Sequence, residues 1–391
     1  MMKTLYILFL ATCMIISTGC SKESNNEPSL PEEPETPVDP PTDTFNPDNV
    51  GLEYDDGTNI AFHIKIAIDK EGFDMRDMDF FKSRLKTQWE AINERFMKLD
   101  KKNVLKRKYI FIPDLEDIII FEGDHWEVPK NYANRIDKNK YQCLVAYDFV
   151  IQEGEGGGGC GDDGYGMSNI LVVNAGIEPG KFFNHLDETT STVAAIVHEF
   201  GHFRGIIDVY PFAIKASNNP VSGEAFSPIA GIMNNPYPAI KDCEWSEYEL
   251  KCLNVNGARK EYRLYDSCLW ETFADFVEFT ITENGEPVDG YTLNFYKTES
   301  SKVTKQVVHT MSADGNKVRK DAKELFWYGK ALWQYYGMFL VEAINTRTGN
   351  KGYCFLPIYE PHIQGLIDKV ENKISNKSFY KKAINIQSKK Q

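Results

Sequence analysis

Residues 198–208 read HEFGHFRGIID, and this segment constrains the local fold more than any other part of the chain. Two histidines four positions apart on a helix lie on one face, so His198 and His202 can share one metal ion. Gly205 can adopt a positive φ and end the helix, which lets the chain turn back. Asp208 is then placed to act as a third ligand and to leave a fourth position open. The spacing predicts a zinc site.

A glutamate, Glu199, stands beside the first of these histidines. Its carboxylate can act as the general base for a zinc-activated water, which is the chemistry of peptide-bond hydrolysis. Residues 193–197 predict a buried helix that carries the ligands, with Ser191 or Thr192 near its N-cap. The alternative is a core helix with two hydrogen-bonded histidines and no metal, but burying Glu199 there without a partner would be costly.

The segment resembles the signature of the metzincin clan of zinc metallopeptidases, His-Glu-x-x-His-x-x-Gly-x-x-His or Asp. Aspartate as the third ligand is similar to the snapalysin-like members. The resemblance implies a methionine turn beneath the metal, for which Met233 is the candidate. Met233 would form an apolar floor and would not be a ligand, and Gly231 stands where the clan often has serine or cysteine. Tyr237 is a candidate for stabilising a tetrahedral intermediate, with a plain packing role as the alternative.

Two further metal hypotheses involve other residues. In a different zinc geometry the third ligand is a glutamate from a later helix, and the candidates are Glu224, Glu244 and Glu247. Residues 158–163 fit one copy of a calcium-binding nonapeptide, but such sites need stacked repeats and the sequence has no second copy. Zinc is therefore the expected cofactor rather than calcium. A hairpin connection is the favoured interpretation of the glycine-rich cluster at 154–166.

The first fifty residues predict export and a lipid anchor. Lys3 precedes an apolar run, residues 5–16, that is too short to span a bilayer. The Ser-Thr-Gly-Cys sequence ending at Cys20 resembles a bacterial lipoprotein signal, which implies that residues 1–19 are removed and that Cys20 is lipidated. Ser21 favours the outer membrane, and the run Ser21-Lys22-Glu23 is similar to surface-export tags, which implies exposure at the cell surface. Secretion without a lipid is the alternative.

Residues 20–51 predict a disordered tether. Residues 21–50 hold seven prolines and eight acidic residues against one lysine, so this stretch contributes −7 to the net charge of −13. The folded remainder is only mildly acidic, and no basic stripe indicates a nucleic-acid partner. The predicted partners are a protein or peptide substrate and, through the lipid, a membrane.

Residues 52–255 predict a catalytic domain with a mixed sheet and a long helix. Alternation in residues 59–69 indicates a half-buried strand, and apolar positions spaced by three and four indicate a helix over 75–99. Further strands are predicted over 107–112, 117–122, 141–151 and 169–175. In the metzincin clan the last strand before the zinc helix lies at the sheet edge. The resemblance implies that substrate pairs with that strand, at Ile170, Leu171, Val172 and Val173.

Residues 256–361 predict an immunoglobulin-like β-sandwich, because short β-type runs alternate with turns. The predicted strands are 261–265, 276–282, 291–297, 306–310, 337–345 and 352–359, with hairpins at 284–285 and 314–315. Residues 362–391 predict a helix over 362–374, followed by a loose lysine-rich tail. The sandwich could bind substrate or glycan, or it could brace the catalytic domain.

Six cysteines remain after the signal and Cys20. An even number in an exported protein permits three disulfides, although a sequence alone does not choose the pairing. Locality in the chain favours Cys143–Cys160, Cys243–Cys252 and Cys268–Cys354.

The sequence as a whole predicts an α+β protein, in which a metzincin-like catalytic domain precedes an immunoglobulin-like β-sandwich. The function that the residues favour is a surface-anchored zinc endopeptidase with Glu199 as general base. Two alternatives stay open. One is a lipid-anchored adhesion or glycan-binding protein with a silent zinc domain, and the other is a zinc amidase that acts on cell-wall amides.

Overall fold

The chain is a mixed α+β protein with several sheets. The computed structural model describes residues 54–55, 57–137, 139–149, 157–161, 170–184, 192–235, 240–256, 271–313, 315–326 and 337–387. The predicted signal, Cys20 and the tether lie outside these ranges. No helix within them is long and apolar enough to cross a membrane.

Two compact units make up the chain. The first comprises Met1–Glu94 and Arg107–Leu186, and the second comprises Arg95–Lys106 and Asp187–Gln391. This division differs from the boundary at residue 255 expected from the sequence, because the segment with the predicted zinc ligands groups with the C-terminal sheets.

The first unit is built around one sheet. Its elements in chain order are β1 (Tyr54–Asp55), β2 (Asn59–Asp69), α1 (Lys70–Asp74), α2 (Met78–Lys98, whose last turn belongs to the second unit), β3 (Lys108–Phe121), α3 (Val128–Asn131), β4 (Cys143–Asp148), β5 (Gly157–Gly161), β6 (Ile170–Asn174) and α4 (Pro179–Phe182). Strands β3, β2, β4 and β6 are parallel and lie in that order. The short β1 pairs antiparallel with the start of β2.

The predicted helix and most predicted strands of this unit are confirmed. The apolar stripe of α2 is buried as its spacing requires, at Phe81, Leu85, Trp89, Ile92 and Phe96. The two strands expected over 107–112 and 117–122 are one strand, β3, with a register shift against β2.

Strand β2 differs from the expected half-buried strand. It is buried along almost its whole length, because it lies inside a parallel sheet with partners on both sides. The polar position Lys65 is fully buried. Its Nζ donates to the carbonyl and the carboxylate of Asp117, each at 2.5 Å. The polar position 65 of the alternating pattern therefore does not face solvent, because its lysine is buried and paired with the exposed Asp117.

The expectation that β6 lies at the edge of the sheet is wrong. Ile170, Leu171, Val172 and Val173 pair with β4 on one side, and they pair antiparallel with β5 on the other. Strand β6 is therefore internal, and any added strand at this side of the sheet would have to pair with β5. Part of the glycine-rich cluster forms β5 itself, where a hairpin connection was expected. Asp162 and Asp163 of the calcium hypothesis lie outside the described residues.

The second unit combines α-helices with two β-sheets. Its elements are α5 (Thr192–His202), α6 (Glu247–Asn256), β7 (Phe276–Glu283), β8 (Glu286–Pro287), β9 (Tyr291–Glu299), β10 (Lys302–Ala313), β11 (Lys317–Asp321), α7 (Ala322–Phe326), β12 (Met338–Asn345), β13 (Lys351–Pro357), α8 (Tyr359–Gly365) and β14 (Phe379–Ile386). Sheet I has the order β10-β9-β12-β13, and sheet II has the order β11-β7-β14, with β8 on β7. Buried aromatic residues of both sheets meet, as in the edge-on contact of Phe279 with Phe295.

The C-terminal tail is a strand and is not loose. Strand β14 pairs parallel with β7 from Phe379 to Ile386, so the predicted loose tail is wrong. The predicted helix over 362–374 begins earlier, at α8, and continues as a π-helical turn over Leu366–Glu371. Ile374, predicted on its apolar face, is 42% exposed.

Several smaller predictions for this region have clear outcomes. The hairpin at residues 284–285 is confirmed by the pairing of β7 with β8. The expected hairpin at 314–315 is instead a crossing between sheets, because β10 pairs with β9 and β11 pairs with β7. The strand expected at 261–265 lies outside the described residues.

Among the cysteine side chains that the structure describes, Cys143, Cys243, Cys252 and Cys354 do not form the expected disulfides. Burial raises the pKa of Cys243 to about 11 and that of Cys354 to about 12. Because Cys243 and Cys252 form no disulfide, their predicted pairing is wrong. Cys268, and the side chain of Cys160, lie outside what the structure describes.

A long segment between helix α5 and helix α6 packs on the outer face of sheet I. We call residues 210–226 the docked loop. It is closed by a β-bridge between Ile214 and Phe226. The Phe226 ring lies 5.0 Å from that of Phe355 in sheet I, and Ile214 belongs to the same buried cluster as Leu340. The sheet thereby fixes the part of the chain that follows Asp208.

Candidate metal centre

Helix α5 ends in a Schellman turn that redirects the chain. The Ile206 N–H donates to the Gly201 carbonyl at 3.2 Å, and the Gly205 N–H donates to the His202 carbonyl at 3.0 Å. Gly205 has φ +80°, a left-handed conformation that glycine adopts without steric cost. The predicted role of this glycine in ending the helix matches the geometry.

The turn returns Asp208 to the two histidines. The Oδ1 atom of Asp208 lies 3.2 Å from Nε2 of His198 and 3.4 Å from Nε2 of His202. Ligand atoms about 2.0–2.1 Å from a tetrahedral zinc ion lie about 3.3 Å from one another. The two distances therefore match the edges of a zinc tetrahedron.

Backbone carbonyls orient both imidazole rings. His198 Nδ1 lies 3.1 Å from the Ile232 carbonyl oxygen, and His202 Nδ1 lies 2.8 Å from the Ile206 carbonyl oxygen. A carbonyl oxygen only accepts, so each Nδ1 carries a proton. Nε2 is therefore the ring nitrogen of each histidine that faces the Asp208 oxygen and that a metal ion could bind.

The Asp208 carboxylate and the two histidines influence one another's charge state. Among the described residues, Asp208 Oδ1 is a buried atom without a hydrogen-bond partner. Burial lowers the pKa of His202, but the Asp208 carboxylate outweighs it and raises this pKa to about 9. Burial raises the pKa of Asp208, whereas the two histidines hold it well below its usual range. The three groups therefore stabilise positive charge between them, which either a proton or a metal ion can carry.

Glu199 lies beside this cluster on the same helix. It is half-buried, while His198 and His202 are each 4% exposed. A neighbouring carboxylate that solvent can reach is suited to exchange protons with water. The predicted general base is thus accessible where the two ligand histidines are not.

Met233 lies under the helix that carries the histidines. It is fully buried, and a Cβ added at Gly201 would lie 2.9 Å from its sulfur. The Val209 N–H donates to the Met233 carbonyl at 3.2 Å, so the methionine turn is joined to the residue after Asp208. The methionine therefore lies against the turn of helix between the two histidines, as the sequence predicted.

Glu249 is a buried residue of this region that the sequence analysis missed. It accepts hydrogen bonds from the N–H groups of Met233, at 2.9 Å, and Ser246, at 2.5 Å. Burial raises its pKa to about 7, against the lowering by these bonds. The signal was present in the sequence as Ser246-x-x-Glu249, the capping box of a helix start. Gly231 leaves room for the carboxylate, since a Cβ there would lie 2.5 Å from both its oxygens.

The other predicted site residues lie elsewhere or outside the described ranges. Within those ranges His198, His202 and Asp208 form the one group of ligand-type residues close enough to share an ion. The alternative third ligands Glu224, Glu244 and Glu247 are therefore not in the site. Tyr237 lies outside the described residues.

Comparisons with known proteins identify no family for this chain. No protein-family model and no curated protein matches it. Among solved structures, a chain from "Structure of a chaperone-substrate complex" aligns with 52% of this chain at 12% identity and a TM-score of 0.32. The alignment covers 35% of that chain, and a likeness this weak carries no argument about function.

Proposed function

We propose that this protein is a zinc-dependent endopeptidase of the metzincin type. The observation that carries the proposal is the convergence of the two Nε2 atoms on Asp208 Oδ1, at 3.2 and 3.4 Å. The Schellman turn at Gly205 and the position of Met233 beneath the helix support the assignment to the clan. The lipid anchor at Cys20, the outer-membrane location and an immunoglobulin-like identity for the two C-terminal sheets are parts of the same proposal.

Each of these residues has a distinct role in the proposed hydrolysis. His198, His202 and Asp208 would hold the zinc ion, which lowers the pKa of water and polarises a substrate carbonyl when bound. Glu199 accepts a proton on its carboxylate from the attacking water and passes it to the leaving amine. The Nδ1 hydrogen bonds of the two histidines keep the rings in place throughout. The substrate is a protein or peptide.

The test uses purified protein and a denatured protein substrate, with metal content measured in parallel. We expect about one zinc ion per chain and cleavage that a chelator abolishes. Glu199→Gln should lower turnover by about 10²–10⁴-fold and retain zinc, because it removes the base and not a ligand. Asp208→Asn should lose zinc. Glu247→Gln, the matched control, should change neither quantity.

Three other outcomes would contradict the proposal. Absence of zinc from the purified wild type would contradict the metal site. Zinc without cleavage of any protein substrate, unchanged by Glu199→Gln, would favour an adhesion protein with a silent site. Cleavage of cell-wall amides and not of peptides would favour a zinc amidase.

A further inference from the structure

Glu249 is the most deeply buried carboxylate near the candidate metal centre. Its side chain is fully buried, in the first turn of α6. Oε1 faces the Met233 N–H and Oε2 faces the Ser246 N–H. Because both oxygens accept, the geometry suits the ionised carboxylate, which has no proton to donate. A buried anion whose hydrogen-bond donors are neutral is stabilised by a positive charge nearby.

One peptide group connects this carboxylate to a metal ligand. The amide between Ile232 and Met233 donates through its N–H to Glu249 Oε1 at 2.9 Å. The same amide accepts through its carbonyl from His198 Nδ1 at 3.1 Å. The hydrogen bonds therefore run in series from the carboxylate through the peptide to the histidine.

Hydrogen bonds in series polarise one another. A carboxylate on the N–H side increases the negative charge on the carbonyl oxygen of the same amide, so that oxygen accepts more strongly. A stronger acceptor at Nδ1 fixes the ring and raises the basicity of the opposite nitrogen, as a directly bonded carboxylate does for metal-bound histidines. The affected atom is His198 Nε2, one of the three atoms that converge on the centre.

We propose that Glu249 is a positioning residue of the metal centre, acting on His198 through the Ile232–Met233 peptide. The inference rests on the proposed zinc site and adds a residue to it. It also accounts for Gly231, because any larger residue would meet the carboxylate. His202 provides an internal comparison, since its Nδ1 faces the Ile206 carbonyl.

Zinc affinity of the purified protein at pH 8, measured by competition with a chelator, provides the first readout. Glu249→Gln should weaken zinc binding by roughly 10–100-fold, the usual effect of removing an outer partner of a ligand histidine. Two controls should bind zinc as the wild type does. Ser246→Ala breaks the cap bond to the Glu249 N–H, at 3.3 Å, and keeps the carboxylate. Glu342→Gln removes another buried carboxylate, in β12 of sheet I.

Proton NMR of the zinc-loaded protein provides a second readout that loss of packing alone would not move. The Nδ1–H resonance of His198 should shift upfield in Glu249→Gln, and that of His202 should stay in place. Glu249→Asp keeps the charge with a shorter reach and should give a smaller change in the same direction. It also serves as the test variant if the glutamine variant does not fold.

The outcomes separate this inference from the proposed function. Wild-type affinity and an unmoved His198 resonance in the Glu249 variants would overturn the positioning role alone. Equal losses of zinc affinity in Glu249→Gln and Glu342→Gln would also overturn it, because general destabilisation would then explain both. A wild type that binds no zinc would overturn the metal site itself, and this inference with it.

Discussion

Gly205 allows the contribution of the helix-ending turn to be measured. Its φ of +80° lies in the left-handed region, where a residue with a Cβ costs about 1–2 kcal/mol. Asp208 follows three residues later, and its position depends on this turn. Gly205→Ala therefore adds a known strain to the segment between two metal ligands.

The strain should lower both the free energy of unfolding and the zinc affinity, and the two effects can be calculated separately. The zinc-bound protein needs the turn intact, so its free energy of unfolding should fall by the whole strain energy, about 1–2 kcal/mol. The metal-free protein can relax the turn and should lose less. The difference between the two losses is the lost binding energy. If the metal-free turn relaxes completely, zinc affinity falls by about 5–30-fold.

Urea unfolding with and without zinc, together with chelator competition, gives all three quantities. The matched control is Gly223→Ala. Gly223 has φ +74°, no atom within 4 Å of an added Cβ, and a place in the docked loop rather than in the turn. It should lose similar stability in both states and keep its zinc affinity. Unchanged stability of zinc-bound Gly205→Ala, or equal loss of zinc affinity in the control, would refute the reasoning.

Two further predictions concern sheet I and the acid stability of the first unit. A Cβ at Gly337 would overlap the Phe212 ring, so Gly337→Ala should cost about 1–3 kcal/mol in urea unfolding, whereas Gly315→Ala, with nothing within 4 Å, should cost little. Burial raises the pKa of Asp114, but Tyr141, Lys65 and Lys140 outweigh it and lower this pKa to about 2. Its contribution, about 2 kcal/mol, is therefore present above about pH 4 and lost as the pH falls toward 2. Asp114→Asn should be less stable at pH 7 and lose less between pH 4 and 2. Parallel pH profiles for wild type and variant would contradict this.

The local parts of the site were predictable from the sequence because they depend on fixed spacings. Helical geometry alone places His198 and His202 on one face, and Gly205 marks the helix end. The long helix α2 was predictable for the same reason, since five apolar positions within it keep one period. Each of these elements is specified by residues close together in the chain.

The sequence-based predictions are wrong where the structure depends on residues that are distant in the chain. The periodicity of β6 does not reveal that β5, a run of glycines with one cysteine, covers its edge. In β14 the pattern FYKKAINI contains two adjacent lysines, which suggested a solvated tail, yet the strand pairs with β7 along its length. The buried Lys65 in β2 mimicked a solvent-facing position because its partner Asp117 lies in another strand. Partners of this kind leave no local signal.

The arrangement of the second unit explains how a ligand so far from Met233 can be held before any metal binds. Residues 209–232 separate Asp208 from the methionine, a stretch whose closure would be entropically costly if it were free. Its two ends are joined by the hydrogen bond from Val209 N–H to the Met233 carbonyl, and its middle is packed on sheet I. The sheet therefore carries part of the ordering cost that the metal would otherwise bear. On this reasoning sheet I acts as a structural part of the candidate metal centre.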